Sequence, residues 1–203
     1  MKEKKIEHII PKQQTGKAID AKGSVSLDNE REAKDFYEVV KKRLQNVSHW
    51  GELAGNLSAN FQLVNKEGIE THKNPEEGNY LKIDIPGPGS KTGQGYDWVQ
   101  IEEVQNTSEP TLESYGFRVR PAENPQVESN HIAHFYSQES TSTFTVTRNG
   151  KSVKAEIYDR NTKPNKDADT TTDKIRDAVV GAAGVLSFSK IQWQNLVQGL
   201  LEK

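Results

Sequence analysis

The spacing of apolar and polar side chains divides the chain into helical stretches on either side of a run of strands. Ala33, Phe36, Tyr37, Val40, Leu44 and Val47 recur every three or four residues, so they fall on one stripe of a helix. Asn29, with Glu32 three residues later, has the form of a capping box that starts this helix. Glu30, Glu32 and Asp35 occupy the early turns and Lys41, Lys42 and Arg43 the last, the arrangement that a helix dipole favours. His49, Trp50 and Leu53 predict a short second helix, curtailed by Gly51 and Gly55. Toward the carboxyl end, Ile175, Val179, Ala182 and Leu186 and then Trp193, Leu196, Val197, Leu200 and Leu201 restore the helical period. Ser189 with Gln192 reads as another capping box, which predicts a break at Ser187 to Ser189.

Between the helices the period falls to two. Ile19, Ala21, Val25 and Leu27 around Gly23 suggest an irregular first strand. Leu57 to Leu63, Leu81 to Ile85, Tyr96 to Val104 and Tyr115 to Val119 each alternate one apolar with one polar face. Val104 has slipped one place past Glu102 and Glu103, and a β-bulge there would restore its face. Asn149-Gly150 predicts a two-residue type I′ hairpin, with Arg148 opposite Lys151, Val146 opposite Val153 and Phe144 opposite Ala155. No helix separates successive strands, so the sheet is expected to be antiparallel. The fold class is α+β: a curved antiparallel sheet of about seven strands, an amino-terminal helix pair and packed carboxyl-terminal helices. Residues 1–16 lack any period and read as a flexible tail, leaving 17–203 as one domain.

Composition narrows the function more than the fold. Of 203 residues, 33% are apolar, and Ile, Leu, Val and Phe together number 44, about 22%, enough for a lean core. With 27 basic against 29 acidic residues the net charge is -2, which excludes a strongly basic nucleic-acid protein and a polyanionic tail. The absence of cysteine excludes a disulfide framework, thiol catalysis and cysteine-ligated zinc or iron-sulfur centres. Met1 to Pro11 holds no signal-peptide core, and the uncharged stretch Ala178 to Ser189 is too short to cross a bilayer. The expectation is a soluble cytoplasmic protein with no nucleic-acid partner and no membrane insertion. No pattern specifies an oligomeric state.

Several patterns could carry chemistry. Gly87 to Gly95 looks like a phosphate loop but lies between strands and lacks a Gly before Lys91, so a lid at a cavity mouth or a plain hairpin loop fits better. His131 and His134, three apart on a strand, would point to opposite faces and share a metal only if the backbone turned. Arg118 and Arg120 lie on one face of their strand, either clamping an anion or, as long charged side chains usually do, facing solvent and pairing with Glu102 or Glu123. Tyr96 and Trp98 directly follow the candidate lid and could line a pocket. Asp97, Glu102, Glu103, Asp159 and the histidines are available as acids and bases, but no spacing assembles a catalytic set. No cofactor is implied.

The order of elements, together with Trp50 after the first helix, resembles the START-like helix-grip superfamily of polyketide cyclases, START proteins and plant pathogenesis-related ligand-binding proteins. The resemblance covers Lys17 to Lys203 and carries over no catalytic residue. It implies a sheet wrapped around the last helix, with a cavity for a small apolar ligand of several hundred Å³. Tyr96, Trp98, Arg118, Arg120 and His134 are then the candidate ligand-binding residues. The alternatives are an interaction or structural domain with a filled core, and a cyclase- or hydrolase-like enzyme using the arginines or histidines.

Overall fold

The computed structural model describes residues 6–55, 58–86, 90–165 and 184–203. The helical period read over 172–183 and the start of the Gly87 to Gly95 loop lie outside the described residues. Seven strands form one antiparallel sheet: β1 (Lys17–Ser26), β2 (Asn60–Val64), β3 (Tyr80–Asp84), β4 (Asp97–Ser108), β5 (Leu112–Pro121), β6 (Thr141–Asn149) and β7 (Ser152–Thr162). Their spatial order is β1-β7-β6-β5-β4-β3-β2, so β1 joins the far end of a meander that begins at β2. Three helices accompany them among the described residues: α1 (Glu30–Gln45), α2 (Trp50–Ala54) and α3 (Gly184–Leu200).

The helix stripe read from sequence is the one that is buried. Ala33, Tyr37, Val40 and Leu44 of α1 face the sheet, and α1 packs on β6 and β7. Asn29 caps it: its side chain accepts from the Glu32 N–H at 2.9 Å, while its amide donates to the Glu32 carboxylate. Trp50 is fully buried. Its indole donates to the Leu44 carbonyl at 3.1 Å, and its ring meets Phe61, Phe117 and Phe144 at centroid distances of 5.3, 5.9 and 4.7 Å. This aromatic knot fastens the helix pair to the inner face of the sheet.

α3 closes the same face, packing against α2, β1 and β7. It comes close to β1 because Gly23 leaves room: a Cβ there would stand 2.7 Å from Val197 Cγ1 and 2.8 Å from Leu201 Cδ1. Arg43 of α1 donates to the carbonyl of Leu200 at 3.0 Å, placing a cation at the negative end of α3.

Two local expectations are corrected. The hairpin between β6 and β7 pairs Asn149 with Ser152, Arg148 with Val153, Val146 with Ala155 and Phe144 with Ile157, two places from the predicted register. Gly150 and Lys151 form the loop. Gly150 has φ +57° and Lys151 is not in the left-handed region, the pattern of a type II′ turn with glycine first. A slip of two leaves every side chain on its predicted face. The break expected at Ser187 to Ser189 is absent, because α3 runs through it as one helix. The bulge near Val104 is present: Ile101 pairs with Val119 and Glu103 with Arg118, leaving Glu102 as the extra residue.

At the amino end, a helical turn at Ile6–Ile9 rests on β4 and β5, and Ile9 is fully buried. The Gln14 N–H donates to Asn161 Oδ1 at 2.8 Å.

Candidate functional site

Inner-face side chains enclose a hollow of about 50 Å³ at the end of the sheet where β3, β5 and β7 finish and β4 and β6 begin. Its roof is Trp193, Gln192 and Ser189 of α3; its floor is apolar, with Phe61, Leu81, Ile83, Val99, Val119 and Phe144. The side wall is the segment His134 to Tyr136, which precedes β6. This volume accommodates a few water molecules and is well below the several hundred Å³ expected. The shortfall has a physical cause: the aromatic rings of Trp50, Phe61, Phe117, Phe144 and Trp193 interlock across the middle of the interior.

The wall is held from both sides. The Phe135 N–H donates to Asp97 Oδ1 at 3.0 Å, and the Asn165 side-chain amide donates to the His134 carbonyl at 3.0 Å. His134 Nδ1 accepts from the Tyr136 N–H at 2.9 Å, which fixes an unprotonated nitrogen at that position and orients the ring against Phe135. The Tyr136 hydroxyl reaches Ser189 Oγ at 3.4 Å. Burial, with the Asp159 carboxylate nearby, pushes its pKa up.

Asp159 is the group that sets the electrostatics. It continues the inner-face series Val153, Ala155, Ile157 along β7 and is 1% exposed. Burial raises its pKa to about 6, against the partial opposing effect of Ser142, Trp193 and Arg160. The Trp193 indole N–H donates to Oδ2 at 2.8 Å. Oδ1 has no hydrogen bond of acceptable geometry. Ser142, directly across the strand pair, favours the ionised form of this carboxyl. Arg160 directs its guanidinium away, to Asp20 Oδ1 at 2.6 Å.

Ser189 and Gln192 have a different role from the predicted cap. Ser189 faces Tyr136, and Gln192 Oε1 accepts from the Ala59 N–H at 3.0 Å, tying α3 to the entry of β2. An i, i+3 polar pair marks a helix start and one face of a continuing helix equally well, and here the partners decide.

Of the residues singled out from sequence, His134 lines the hollow and the other four do not. Tyr96 and Trp98 belong to a separate cluster on the outer face with Val64, Tyr80 and Ala133. There the Trp98 indole donates to the Gly93 carbonyl at 3.1 Å, and Lys82 Nζ lies 3.8 Å from the centre of the Tyr96 ring. Arg118 and Arg120 are also on the outer face, both bonded to the bulge residue Glu102, with Arg118 Nε 2.8 Å from Oε2. Arg118 further donates to the Ile9 carbonyl at 2.9 Å, and Arg120 to that of Gln138 at 2.7 Å. Burial works against the charged form of Glu102, but the bonds from the two guanidinium groups hold its carboxyl below the usual range. Asp159 itself was recoverable from sequence, since period-two counting from Val153 puts it on the apolar face.

Among the described residues no three metal-binding side chains are grouped to hold an ion, and no helix is long and apolar enough to cross a membrane.

No protein-family model matches the chain, and no curated protein matches it significantly. Among solved structures it is similar to a hypothetical protein from Helicobacter pylori, at 13% identity over 94% of this chain and 91% of that one, with a TM-score of 0.49. It is also similar to ginseng major latex-like protein 151 from Panax ginseng (12% identity, 85% and 97% coverage, TM-score 0.35). A third likeness is to a truncated norcoclaurine synthase from Thalictrum flavum (10% identity, 93% and 99% coverage, TM-score 0.33). The architecture itself, an open seven-stranded antiparallel sheet with a helix pair after β1 and a final helix on the inner face, is helix-grip-like.

Proposed function

We propose that this chain binds a small, largely apolar molecule in the hollow between the sheet and α3. The observation that supports this reading is an apolar-walled gap with a polar fringe of Asp159, Tyr136 and Ser189, in an interior whose centre is otherwise filled by interlocked aromatic rings. Packed cores rarely leave such space, and polar groups at its edge give a bound molecule an orientation. The occupant is a molecule of a few heavy atoms, or a larger one if α3 moves outward.

Native mass spectrometry of the purified protein tests this directly. The expected result is a population carrying the mass of a small organic molecule, or, after its loss in purification, a rise in melting temperature with members of a metabolite panel. Xenon gas, which enters dry apolar cavities, should be located in the hollow by diffraction. A bare mass, no thermal shift and no xenon would together refute the reading and leave the filled-core interaction domain in its place.

A further inference from the structure

This inference rests on the ligand-binding reading above and narrows it to a chemical class. The carboxylate of Asp159 can only accept hydrogen bonds while ionised, and the protein supplies one donor of good geometry, the Trp193 indole, to Oδ2. Of the other polar groups of the hollow, the Tyr136 hydroxyl pairs with Ser189, Gln192 Oε1 accepts from the Ala59 amide and the Arg160 guanidinium is turned to Asp20 and the carbonyl of Ile19, while Ser142, across the strand pair, favours the ionised carboxyl. Oδ1 is a buried acceptor that no donor meets in full hydrogen-bonding geometry, at the edge of a space with apolar walls. A buried acceptor left in that state is costly, and the cost is removed by anything that brings an O–H or N–H to it.

We propose that the occupant of the hollow carries a hydrogen-bond donor, an alcohol O–H or a protonated amine N–H, that bonds Asp159 Oδ1 while its apolar body lies against Ile83, Val99 and Phe144. The same geometry disfavours anions, because a carboxylate or phosphate would meet a fixed negative charge with no cation turned toward it. Trp193 orients the acceptor, and Tyr136 and Ser189 border the head group. The alcohol and the amine share this recognition and differ only in charge.

Three isosteric probes separate the readings: 1-propanol, propylammonium and 1-chloropropane, titrated into the whole chain while the Trp193 indole N–H resonance is followed by NMR. The expected result is that at least one of the two donors binds about tenfold tighter than the chloride and displaces that resonance. The tighter of the two identifies the source. In Asp159→Asn, whose single amide oxygen stays with the Trp193 indole and whose NH2 takes the place of Oδ1, an amine preference disappears, whereas an alcohol, which can also accept, is still preferred. In Asp159→Leu both preferences disappear while chloropropane still binds. Chloropropane binding as tightly as both donors would overturn the proposal, with Oδ1 satisfied by the Ser142 hydroxyl or by water, and leave the cavity reading standing. Failure of all three probes with xenon still entering also overturns it. Failure of the probes and of xenon removes the cavity reading itself.

Discussion

Replacing Asp159 with Asn is expected to stabilise the protein at neutral pH, and to do so less and less as the solution is acidified. The folded-state pKa of about 6 lies above the unfolded value of 3.8. The protonated carboxyl is therefore the form that folding favours. Below about pH 4 both states are protonated and that preference is fully present; as pH rises through 6 the folded chain must hold an ionised group in its interior, and the preference is lost. Two pKa units or slightly more correspond to on the order of 3 kcal/mol. Asn imitates the neutral form and keeps an oxygen for the Trp193 indole. The melting temperature of Asp159→Asn should exceed the parent's by roughly 6 to 12 °C at pH 7.5 and match it near pH 4. A difference that does not change with pH would show that Asp159 is hydrated when charged.

A larger effect, of opposite sign, is expected at the far end of the inner face. Glu113 and Arg148 are directly paired across β5 and β6, with Nε 2.6 Å from Oε2 and side-chain exposures of 8% and 2%. The guanidinium also donates to the carbonyls of Gly150 at 3.1 Å and Pro110 at 2.9 Å, so it fastens both hairpin loops. Truncating Glu113 to Ala leaves a cation in the interior with carbonyl partners only. The expected loss is about 3 to 5 kcal/mol, read by urea denaturation. Converting the pair together, Glu113→Leu with Arg148→Met, removes both charges from the interior and should recover most of that loss. If the double variant were as unstable as Glu113→Ala, the carbonyl bonds of Arg148 rather than its charge pairing would be the source of stability.

Periodicity in the sequence carried the helix and strand assignments because each depends on local spacing. The stripe from Ala33 to Leu44 and the bulge at Glu102 are visible within a few residues, and the pairing of Arg118 and Arg120 with that glutamate follows from the one hairpin that joins their strands. The features that failed to show are those in which two arrangements share one local pattern. Arg148-Asn149-Gly150-Lys151 can turn at 149–150 or at 150–151, and both registers keep the same residues on the inner face, so alternation does not decide between them. Ser189 and Gln192 satisfy a cap and a buried helix face alike. Trp98 alternates correctly in β4, but alternation does not say which face is inner, and it lies on the outer one under the turn at Gly93. The small volume of the hollow depends on aromatic side chains from β2, β5, β6, α2 and α3 meeting in the interior, which no single segment reveals.

The three indoles of the chain differ in what receives their N–H. Trp50 and Trp98 bond neutral backbone carbonyls, of Leu44 and Gly93, whereas Trp193 bonds a side chain that gains a negative charge near pH 6. An indole's excited state shifts electron density away from its pyrrole nitrogen, so an anion at that nitrogen lowers its emission energy. The protein thus contains its own optical gauge: a pH-dependent change in fluorescence colour is expected from one chromophore, the one that forms the ceiling of the hollow.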